Sequence, residues 1–311
     1  MIVLNELSKR FGIIRAVDRV SFTVNRGEVL GFLGPNGAGK STTMKMLAGF
    51  LTPSGGSASI CGHDVVAQPI QAKQRLGYLP EGAPAYPDMT ARGFLMFIAG
   101  VRGLSGREAT QRIGWAVERT QLTRVLDQPI DTLSKGFKRR VGLAQAILHD
   151  PDVLILDEPT DGLDPNQKHE VRGLIRDIAG DKAIIISTHI LEEVEAVCSR
   201  AIVIARGRVL ADDTPDALVA QDPDHGAVCL TVDAAVAETA IQALATLPGV
   251  IAARIEPRGP RALVLVRSEP GVPIVDAVRE FATGQPWDSA DHGTVRGRLD
   301  QVFRTITTDA A

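Results

Sequence analysis

Short apolar runs alternate with amphipathic segments through the first two thirds of the chain. Residues 29–33, 153–156 and 183–187 are apolar at almost every position, which predicts strands buried on both faces. Between the last two runs, residues 166–179 carry apolar side chains at the spacing of a helix: Val171, Leu174, Ile175 and Ile178. Buried strands that alternate with helices predict an α/β fold with a parallel sheet covered on both sides.

The same patterns place the other elements of this region. Strands are predicted at residues 17–24, 201–204 and 208–210, helices at residues 40–50 and 190–197, and a mainly helical stretch at about residues 89–124. The last two strands would form a hairpin through Gly207. We therefore expect an α/β domain at residues 1–220, with a helical subdomain at about residues 89–150.

The character of the chain changes at residues 221–226, a polar stretch with Pro and Gly that predicts a linker. Beyond it, strands are predicted at residues 227–233, 250–256 and 262–267, and helices at residues 236–247, 274–282 and 299–306. This order predicts a small α+β module of the split βαβ kind at residues 227–311. Its sequence contains no recognisable chemical site.

The sequence of one loop predicts the class of ligand that it binds. It fits G-x-x-x-x-G-K-[ST] and lies between the predicted strand at residues 29–33 and the predicted helix at residues 40–50. Its glycines permit a positive φ, so backbone N–H groups can turn towards an anion, and the helix start adds unpaired donors. This context predicts a phosphate-binding loop made of Gly34, Pro35, Asn36, Gly37, Ala38, Gly39, Lys40, Ser41 and Thr42.

Four side chains have predicted roles in this chemistry. Lys40 would reach the β- and γ-phosphates of a nucleotide, and the Ser41 hydroxyl would ligate Mg²⁺. Asp157 and Glu158 follow a buried strand, at the sheet edge where parallel-sheet proteins bind ligands. Because neighbouring side chains of an extended chain point to opposite sides, we expect Asp157 to serve the Mg²⁺ and Glu158 to polarise the attacking water.

A cationic segment begins another predicted helix, at residues 141–148. Ser134 is suited to cap it, and Lys135 and Lys138 lie where cations oppose the helix dipole. A bound anion would remove this conflict, and solvated surface cations are the alternative interpretation. With an anion there, one chain would hold two candidate phosphate sites, which a single nucleotide could join if they came from two copies of the protein.

Composition and charge argue against several classes of function. A chain of 311 residues is long enough for two domains, and its net charge of −3 gives no basic footprint for nucleic acid. Three widely spaced cysteines without a C-x-x-C pair favour a reducing compartment over a disulfide framework or a zinc site. The N-terminus lacks a signal-peptide pattern, and no apolar run approaches the length of a transmembrane helix, so we expect a cytoplasmic protein.

Together, these motifs resemble the ATP-binding subunits of ABC transporters over residues 1–218. They occur in the family's order: residues 34–42 resemble the Walker A loop, 133–137 the signature, 153–158 Walker B, 161–164 the D-loop and 187–189 the switch histidine. The resemblance implies a P-loop NTPase core of the ABC ATPase type, with a RecA-like mixed sheet and a helical subdomain. It also implies ATP and Mg²⁺ as cofactors.

The resemblance implies roles for further residues. Phe11 would stack on adenine, His189 would contact the γ-phosphate, and Asp164 would link two ATP sites. Glu81 lies where the family usually has a glutamine that offers a neutral oxygen to Mg²⁺ and relays to the membrane subunit. Its carboxylate can still ligate the metal, but its charge changes the electrostatics of the site.

The signature departs from the family pattern at two positions. Lys135 replaces the first glycine and Phe137 replaces a glutamine, whereas Ser134 and Gly136 are retained. In the family the retained pair presents a hydroxyl and a backbone N–H to the γ-phosphate. Lys135 itself has the charge and the reach to contact phosphate or ribose.

The resemblance also implies partners. Two copies, or one copy and a similar ATPase subunit, would dimerise head to tail, with each ATP between one Walker A loop and the partner's signature. Closing on ATP and opening after hydrolysis would drive a separate polytopic membrane permease at the inner face of the cell membrane. Several motifs and the segment at residues 298–306 resemble bacterial exporter subunits for drugs, polysaccharides or ions, or those of gliding motility.

Two classes of protein other than transporter subunits also contain a phosphate-binding loop of this kind, and the sequence is compared with each of them. A soluble ABC-type ATPase that acts on nucleic acid or on a macromolecular complex is the alternative. Such chains usually show a long coiled-coil insertion or two cassettes, and the sequence shows neither of these nor a basic arm. A GTPase would need a guanine-reading N-K-x-D motif, which does not occur.

Overall fold

The computed structural model describes residues 1–83, 85–269, 272–285, 287 and 290–309, and the other positions of the predicted domains lie outside the described residues. Its strands are β1 (Ile2–Phe11), β2 (Ile14–Val24), β3 (Val29–Leu33), β4 (Gly55–Ile60), β5 (His63–Asp64), β6 (Leu76–Leu79), β7 (Val153–Asp157), β8 (Ala183–Thr188), β9 (Arg200–Ala205), β10 (Arg208–Asp213), β11 (Val228–Asp233), β12 (Val250–Arg258), β13 (Arg261–Ser268) and β14 (Ala290–Thr294). Its helices are α1 (Lys40–Leu47), α2 (Pro69–Gln74), α3 (Ala91–Val101), α4 (Gly106–Arg119), α5 (Lys135–Ile147), α6 (Pro165–Ala179), α7 (Leu191–Val197), α8 (Pro215–Val219), α9 (Ala237–Leu244), α10 (Val275–Thr283) and α11 (Leu299–Asp309).

The chain forms two compact units, one of Met1–Pro215 with the segment from Ile306 and the other of Asp216–Thr305. The first unit is built on a six-stranded sheet in the order β10-β9-β3-β8-β7-β6. Five of these strands are parallel, and β10 is antiparallel to β9 at one edge, as the predicted hairpin requires. The predicted strands and helices of this region are therefore confirmed in type.

Each apolar run of the central sheet contributes side chains to two hydrophobic cores, one on each face of the sheet. In β7, Leu154 and Leu156 belong to a cluster that includes α3, α4 and α5, whereas Val153 and Ile155 belong to a cluster with β1, β2 and α1. Because successive side chains of a strand point to opposite faces, a strand between two cores must be apolar at every position. This requirement explains the continuous runs seen in the sequence.

A second sheet was not predicted. It is antiparallel, with the order β2-β1-β4-β5, and β1 lies in its middle. Ile2 and Leu4 alternate as expected, but the register shifts before Leu7, where Glu6 adopts a positive φ of 47°. This bulge moves the apolar phase by one residue, so the segment does not show the simple alternation of a strand.

Two predicted helices have different limits. The helix predicted at residues 40–50 ends at Leu47, because Gly49 follows in the left-handed conformation with φ 69°. The helical stretch predicted at residues 89–124 is divided into α3 and α4 by a turn with Gly103 at φ 79°. Within the described residues, no helix combines the length and apolar character needed to cross a bilayer.

The second unit has its own sheet and core. Its four antiparallel strands have the order β12-β13-β11-β14, and Leu230, Val264 and Val278 are buried in one cluster with residues of α9 and α10. The sequence analysis did not predict β14. The segment predicted as a linker lies inside this unit, where Asp222 accepts a hydrogen bond from the Arg298 backbone N–H (2.7 Å) and Asp224 pairs with Arg254.

Helix α5 lies close to β6 at Gly77, and a substitution there tests this packing. A Cβ at this position would overlap the Ala146 carbonyl oxygen and lie 2.6 Å from Leu154 Cδ2. We expect Gly77→Ala to destabilise the protein by about 1–3 kcal/mol through overpacking, measured as a lower midpoint of thermal unfolding. The control Gly173→Ala lies in α6 with open space around it, and should leave stability unchanged or raise it by up to about 1 kcal/mol. Equal unfolding of both variants would contradict this packing.

Candidate functional site

The phosphate loop joins β3 to α1 and depends on its glycines. Gly37 and Gly39 adopt positive φ angles of 79° and 105°, which side chains disfavour. A Cβ at Gly34 would overlap the Ile204 carbonyl oxygen, and one at Gly39 would lie 2.5 Å from the Ala16 carbonyl oxygen. The neighbouring backbone therefore requires glycine at both ends of the loop.

Lys40 lies inside this loop and is only 7% exposed. Its Nζ donates hydrogen bonds to the carbonyl oxygens of Gly34 (2.6 Å) and of the next residue (3.2 Å). Burial lowers the pKa of Lys40, while the carboxylates of Glu158, Asp157 and Glu81 act in the opposite direction. The ammonium group is thus held in the loop, close to three carboxylates.

Asp157 is the last residue of β7 and is fully buried. Its Oδ1 accepts a hydrogen bond from Ser187 Oγ (2.5 Å), whereas its Oδ2 has no hydrogen-bond partner among the described residues. Burial raises the pKa of Asp157, and the hydroxyls of Ser187 and Ser41 oppose that rise. A buried carboxylate oxygen that lacks a partner next to a serine hydroxyl is suited to a divalent cation, which prefers oxygen ligands.

Glu158 follows directly after β7, and its backbone is not in the extended conformation that the sequence analysis assumed. Its φ is 50°, a left-handed conformation that is uncommon for a residue with a side chain, and its backbone N–H donates to the Ser187 carbonyl oxygen (2.9 Å). His189 Nδ1 lies 3.0 Å and 2.9 Å from the two oxygens of Glu158. The Glu158 side chain is buried and the His189 ring is half exposed, so the pair lies at the surface of the site.

A cavity of about 490 Å³ opens over the phosphate loop. Residues 36–42 line it together with Phe11, Ala16, Glu81 and Glu158. Phe11 is 48% exposed, and the Nζ of Lys9 lies 5.2 Å from the centre of its ring. The structure therefore brings most of the predicted site residues around one space large enough for a small ligand.

Eight predicted site residues are not among those that line this cavity: Gly34, Pro35, Ser134, Lys135, Gly136, Asp157, Asp164 and His189. Gly34, Pro35, Asp157 and His189 still lie close to it, in the phosphate loop and at the ends of β7 and β8, whereas the other four belong to the starts of α5 and α6. Ser134 caps α5, as predicted, by accepting a hydrogen bond from the Phe137 backbone N–H (3.3 Å). Asp164 caps α6 by accepting one from the Gln167 backbone N–H (2.9 Å). In the single chain both residues therefore serve helix ends.

Lys135 has a partner within its own chain that the sequence did not reveal. Its Nζ lies 3.1 Å from Asp161 Oδ2, and this contact is the main reason why the pKa of Asp161 is lowered. A Cβ at Gly162 would lie 2.5 Å from the Lys135 Nζ, and one at Gly136 would lie 2.5 Å from Gln167 Oε1. The start of α5 thus packs closely against the segment that leads into α6.

Arg139 is a site residue that sequence reasoning missed. It is buried, its Nη1 donates to the Pro80 carbonyl oxygen (3.4 Å), and its Nη2 lies 3.9 Å from Asp161. Burial lowers the pKa of Arg139, and four carboxylates, Asp161, Glu158, Asp157 and Glu81, act against that shift. It belongs to the cationic run that begins α5, but only the fold shows that Arg139 is buried whereas Lys135 is exposed.

The buried Asp157 carboxylate should make the stability of the nucleotide-free protein depend on pH. Because its folded-state pKa is above the ordinary value of 3.8, stability falls as pH rises from that value through the folded pKa. Asp157→Asn removes this loss, so its unfolding midpoint should exceed that of the wild type at neutral pH and approach it in acid.

Thermal unfolding measured across this pH range checks the prediction. Ser187→Ala is the matched control, because it removes the hydroxyl that stabilises the ionised Asp157, and it should lower the midpoint most at high pH. A difference between Asp157→Asn and the wild type that does not change with pH would contradict the raised pKa.

Comparisons with known proteins agree with this geometry. The family model "ABC transporter" matches residues 17–161. The Nod factor export ATP-binding protein I of Burkholderia lata is 43% identical over 214 residues, which cover 68% of this chain and 70% of that protein. The Nod factor export ATP-binding protein I of Ralstonia nicotianae is 35% identical over 302 residues, which cover 97% of this chain and 92% of that protein.

A solved structure of an ATP-binding subunit of an ABC transporter is 33% identical, with a TM-score of 0.66 over 71% of this chain and 92% of the solved chain. The predicted fold class, a P-loop NTPase core of the ABC ATPase type, is confirmed by this likeness and by the mixed six-stranded sheet. The chain belongs to the ABC transporter family, in which it is an ATP-binding subunit with an ATPase domain.

Proposed function

We propose that this ABC subunit binds ATP with Mg²⁺ in the cavity over residues 36–42 and hydrolyses it with Glu158. One observation carries the proposal: a single sheet edge gathers a buried ammonium group, a buried carboxylate, and a carboxylate paired with a histidine. One oxygen of the buried carboxylate has no hydrogen-bond partner within the residues that the structure describes. Phosphoryl transfer to water needs a cation for the phosphates, ligands for a metal and a group that orients the water. Lys40, Asp157 and Glu158 supply these three in turn.

The phosphates would be bound by the loop of residues 34–42. Gly37 and Gly39 turn its backbone with positive φ, and α1 begins at Lys40, so the first N–H groups of that helix lack partners within the helix. The Lys40 ammonium now bonds to carbonyl oxygens of its own loop. A phosphate oxygen is a better acceptor for this ammonium group than a neutral carbonyl oxygen, because both partners of the hydrogen bond are then charged.

The residues fit a magnesium ion. Asp157 Oδ2 is buried and has no hydrogen-bond partner in the described part of the chain. The Ser41 hydroxyl lies close enough to influence the Asp157 pKa, and Glu81 lines the cavity over the phosphate loop. Ser41, Asp157 and Glu81 would hold the ion directly or through water. When bound, Mg²⁺ neutralises charge on the phosphate oxygens.

Glu158 would orient the attacking water and accept its proton on a carboxylate oxygen. It lines the cavity, and His189 Nδ1 holds both of its oxygens, which restricts how the carboxylate can turn. The half-exposed imidazole would also contact the γ-phosphate. Phe11, at the rim of the cavity, would stack on adenine.

A second copy of the chain would complete the site. Ser134, Lys135 and Asp164 are exposed, and none of them lines the cavity over the phosphate loop. Ser134 and Lys135 lie at the start of α5, where an anion is favoured by the helix dipole. These positions support a head-to-tail dimer, in which the start of α5 of one copy, with Gly136, faces the ATP of the other and Asp164 links the two sites.

A membrane permease is the proposed partner of that dimer. A groove of about 960 Å³ lies beside the segment that carries Glu81, and its wall includes exposed Ile70, Tyr86, Phe97 and Val101. Exposed apolar side chains gathered in one groove fit a partner segment with an apolar face. The names of the relatives support export, and we propose residues 227–311 as an accessory domain.

Lys40→Ala should abolish tight ATP binding, because it removes the buried cation of the phosphate loop. We expect the Kd for ATP to rise at least about tenfold, which corresponds to about 1.4 kcal/mol. Lys45→Ala is the matched control, since it removes an exposed lysine from the same helix and should leave the Kd unchanged. Equilibrium binding of a fluorescent ATP analogue measures both, and an unchanged Kd for Lys40→Ala would refute the loop as the phosphate site.

Glu158→Gln should trap the proposed dimer. Removing the general base lowers kcat by about 10²-fold or more but spares the binding residues, so the variant should dimerise with ATP and Mg²⁺ in size-exclusion chromatography with light scattering. Adding Ser134→Arg should keep it monomeric while its ATP affinity is retained.

Ser105→Arg in the same Glu158→Gln background is the control, because it adds an arginine at the exposed start of α4 and should leave the dimer intact. If Glu158→Gln turns over ATP at the wild-type rate, Glu158 is not the base. A dimer that tolerates Ser134→Arg would exclude the shared site.

A further inference from the structure

Glu193 is a buried carboxyl group next to the proposed catalytic pair. It lies in the first turn of α7, four residues after His189, and is only 2% exposed. Thr188 Oγ1 donates a hydrogen bond to Glu193 Oε2 (2.9 Å), and the same Thr188 oxygen accepts one from the Ile190 backbone N–H (3.0 Å). Two hydrogen bonds in series therefore connect Glu193 to the residues on either side of His189.

The environment of Glu193 is costly for a carboxyl group. Its Oε1 is buried and has no hydrogen-bond partner among the described residues. Burial raises the pKa of Glu193, the charge of Glu158 adds to the rise, and Arg172 and Lys168 oppose it together with the Thr188 hydrogen bond. An unsatisfied buried polar group costs about 1–3 kcal/mol, so the position needs an explanation beyond the stability of the fold.

Support of the α7 helix does not explain that cost. An acidic residue in the first turn interacts favourably with the helix dipole whether or not it is buried. Glu192 occupies the same turn and is exposed, so it supplies this interaction without desolvation. What Glu193 has and Glu192 lacks is the hydrogen bond to Thr188.

The segment that Glu193 contacts through Thr188 carries His189. Thr188 is the last residue of β8, where it pairs with Leu33 at the end of β3, and α7 begins only after Ile190. His189 therefore lies outside regular secondary structure, and its ring is half exposed. Its Nδ1 nevertheless lies within 3.0 Å of both Glu158 oxygens, a geometry that a small rotation of the peptide would lose.

We propose that Glu193 is a positioning residue for ATP hydrolysis. It holds the Thr188 hydroxyl and through it the Ile190 N–H, and so fixes the peptide that carries His189 against the Glu158 carboxylate. This inference rests on the proposed function, because the His189–Glu158 pair is the group that it positions. Misplacement of such a pair by about 1 Å costs up to about a hundredfold in rate.

Steady-state ATPase kinetics of five variants test the proposal. Glu193→Ala should lower kcat about tenfold or more and leave KM for ATP within about twofold, because the phosphate loop is untouched. Glu193→Gln keeps an oxygen for Thr188 and should restore most of kcat. Thr188→Val should reproduce the loss and Thr188→Ser should not. Glu192→Ala, the matched control, should behave as the wild type.

A second measurement does not depend on turnover. The ¹⁵N and ¹H shifts of the His189 imidazole, assigned by comparison with His189→Ala, report its contact with Glu158. They should change in Glu193→Ala and Thr188→Val and stay close to the wild type in Glu193→Gln, Thr188→Ser and Glu192→Ala. Unfolding midpoints of all variants show whether a change in the shifts only reflects partial unfolding.

The outcomes separate the inference from the proposed function. Wild-type kcat and wild-type imidazole shifts in a folded Glu193→Ala would overturn the positioning role. Equal losses in Glu192→Ala and Glu193→Ala would also overturn it, because they would point to the charge of the helix turn. If the wild type itself fails to hydrolyse ATP, the proposed function fails, and the imidazole shifts alone decide whether Glu193 holds His189.

Discussion

The parallel pairing of β3, β8 and β7 is the constraint on which the site depends. Leu33 lies opposite Thr188, and Asp157 lies opposite Ser187, so the three strands end at the same edge of the sheet. The phosphate loop, the two carboxylates and His189 each follow one of these strand ends. Residues more than a hundred positions apart in the chain thereby become neighbours, since parallel strands share one carboxyl edge.

This edge brings several charged side chains together in buried positions. Lys40, Asp157 and Arg139 are buried, and burial shifts each of their pKa values against the charged form. Opposite charges in the same small volume reduce the free-energy cost of burial, but Asp157 Oδ2 has no hydrogen-bond partner among the residues of the described ranges. Such a site is not optimised for the stability of the free protein. Its buried charges support the proposal of a magnesium nucleotide, a ligand that brings both negative charge and a cation.

The sequence predicted those parts of the fold and of the site that depend on local patterns. Apolar runs identified β3, β7 and β8, helical spacing identified α6, and Ser134 was recognised as the cap of α5 because N-caps are determined by neighbouring residues. The sheet around β1 was missed because a bulge at Glu6 shifts its apolar phase. The Lys135–Asp161 contact and the burial of Arg139 were missed because they join segments that no local pattern connects.

The sequence by itself determined the ligand class, because a glycine-rich loop between a strand and a helix can turn its N–H groups towards phosphate whatever surrounds it. It also determined the family through the order of its motifs. Only the tertiary structure decided that Asp157 Oδ2 is buried with no partner in the described parts of the chain, and that His189 Nδ1 contacts both Glu158 oxygens. It also decided that Glu193 accepts a hydrogen bond from Thr188, next to His189. The reason is physical: local patterns follow from neighbours in the chain, whereas burial and side-chain pairing depend on which strands the fold brings together.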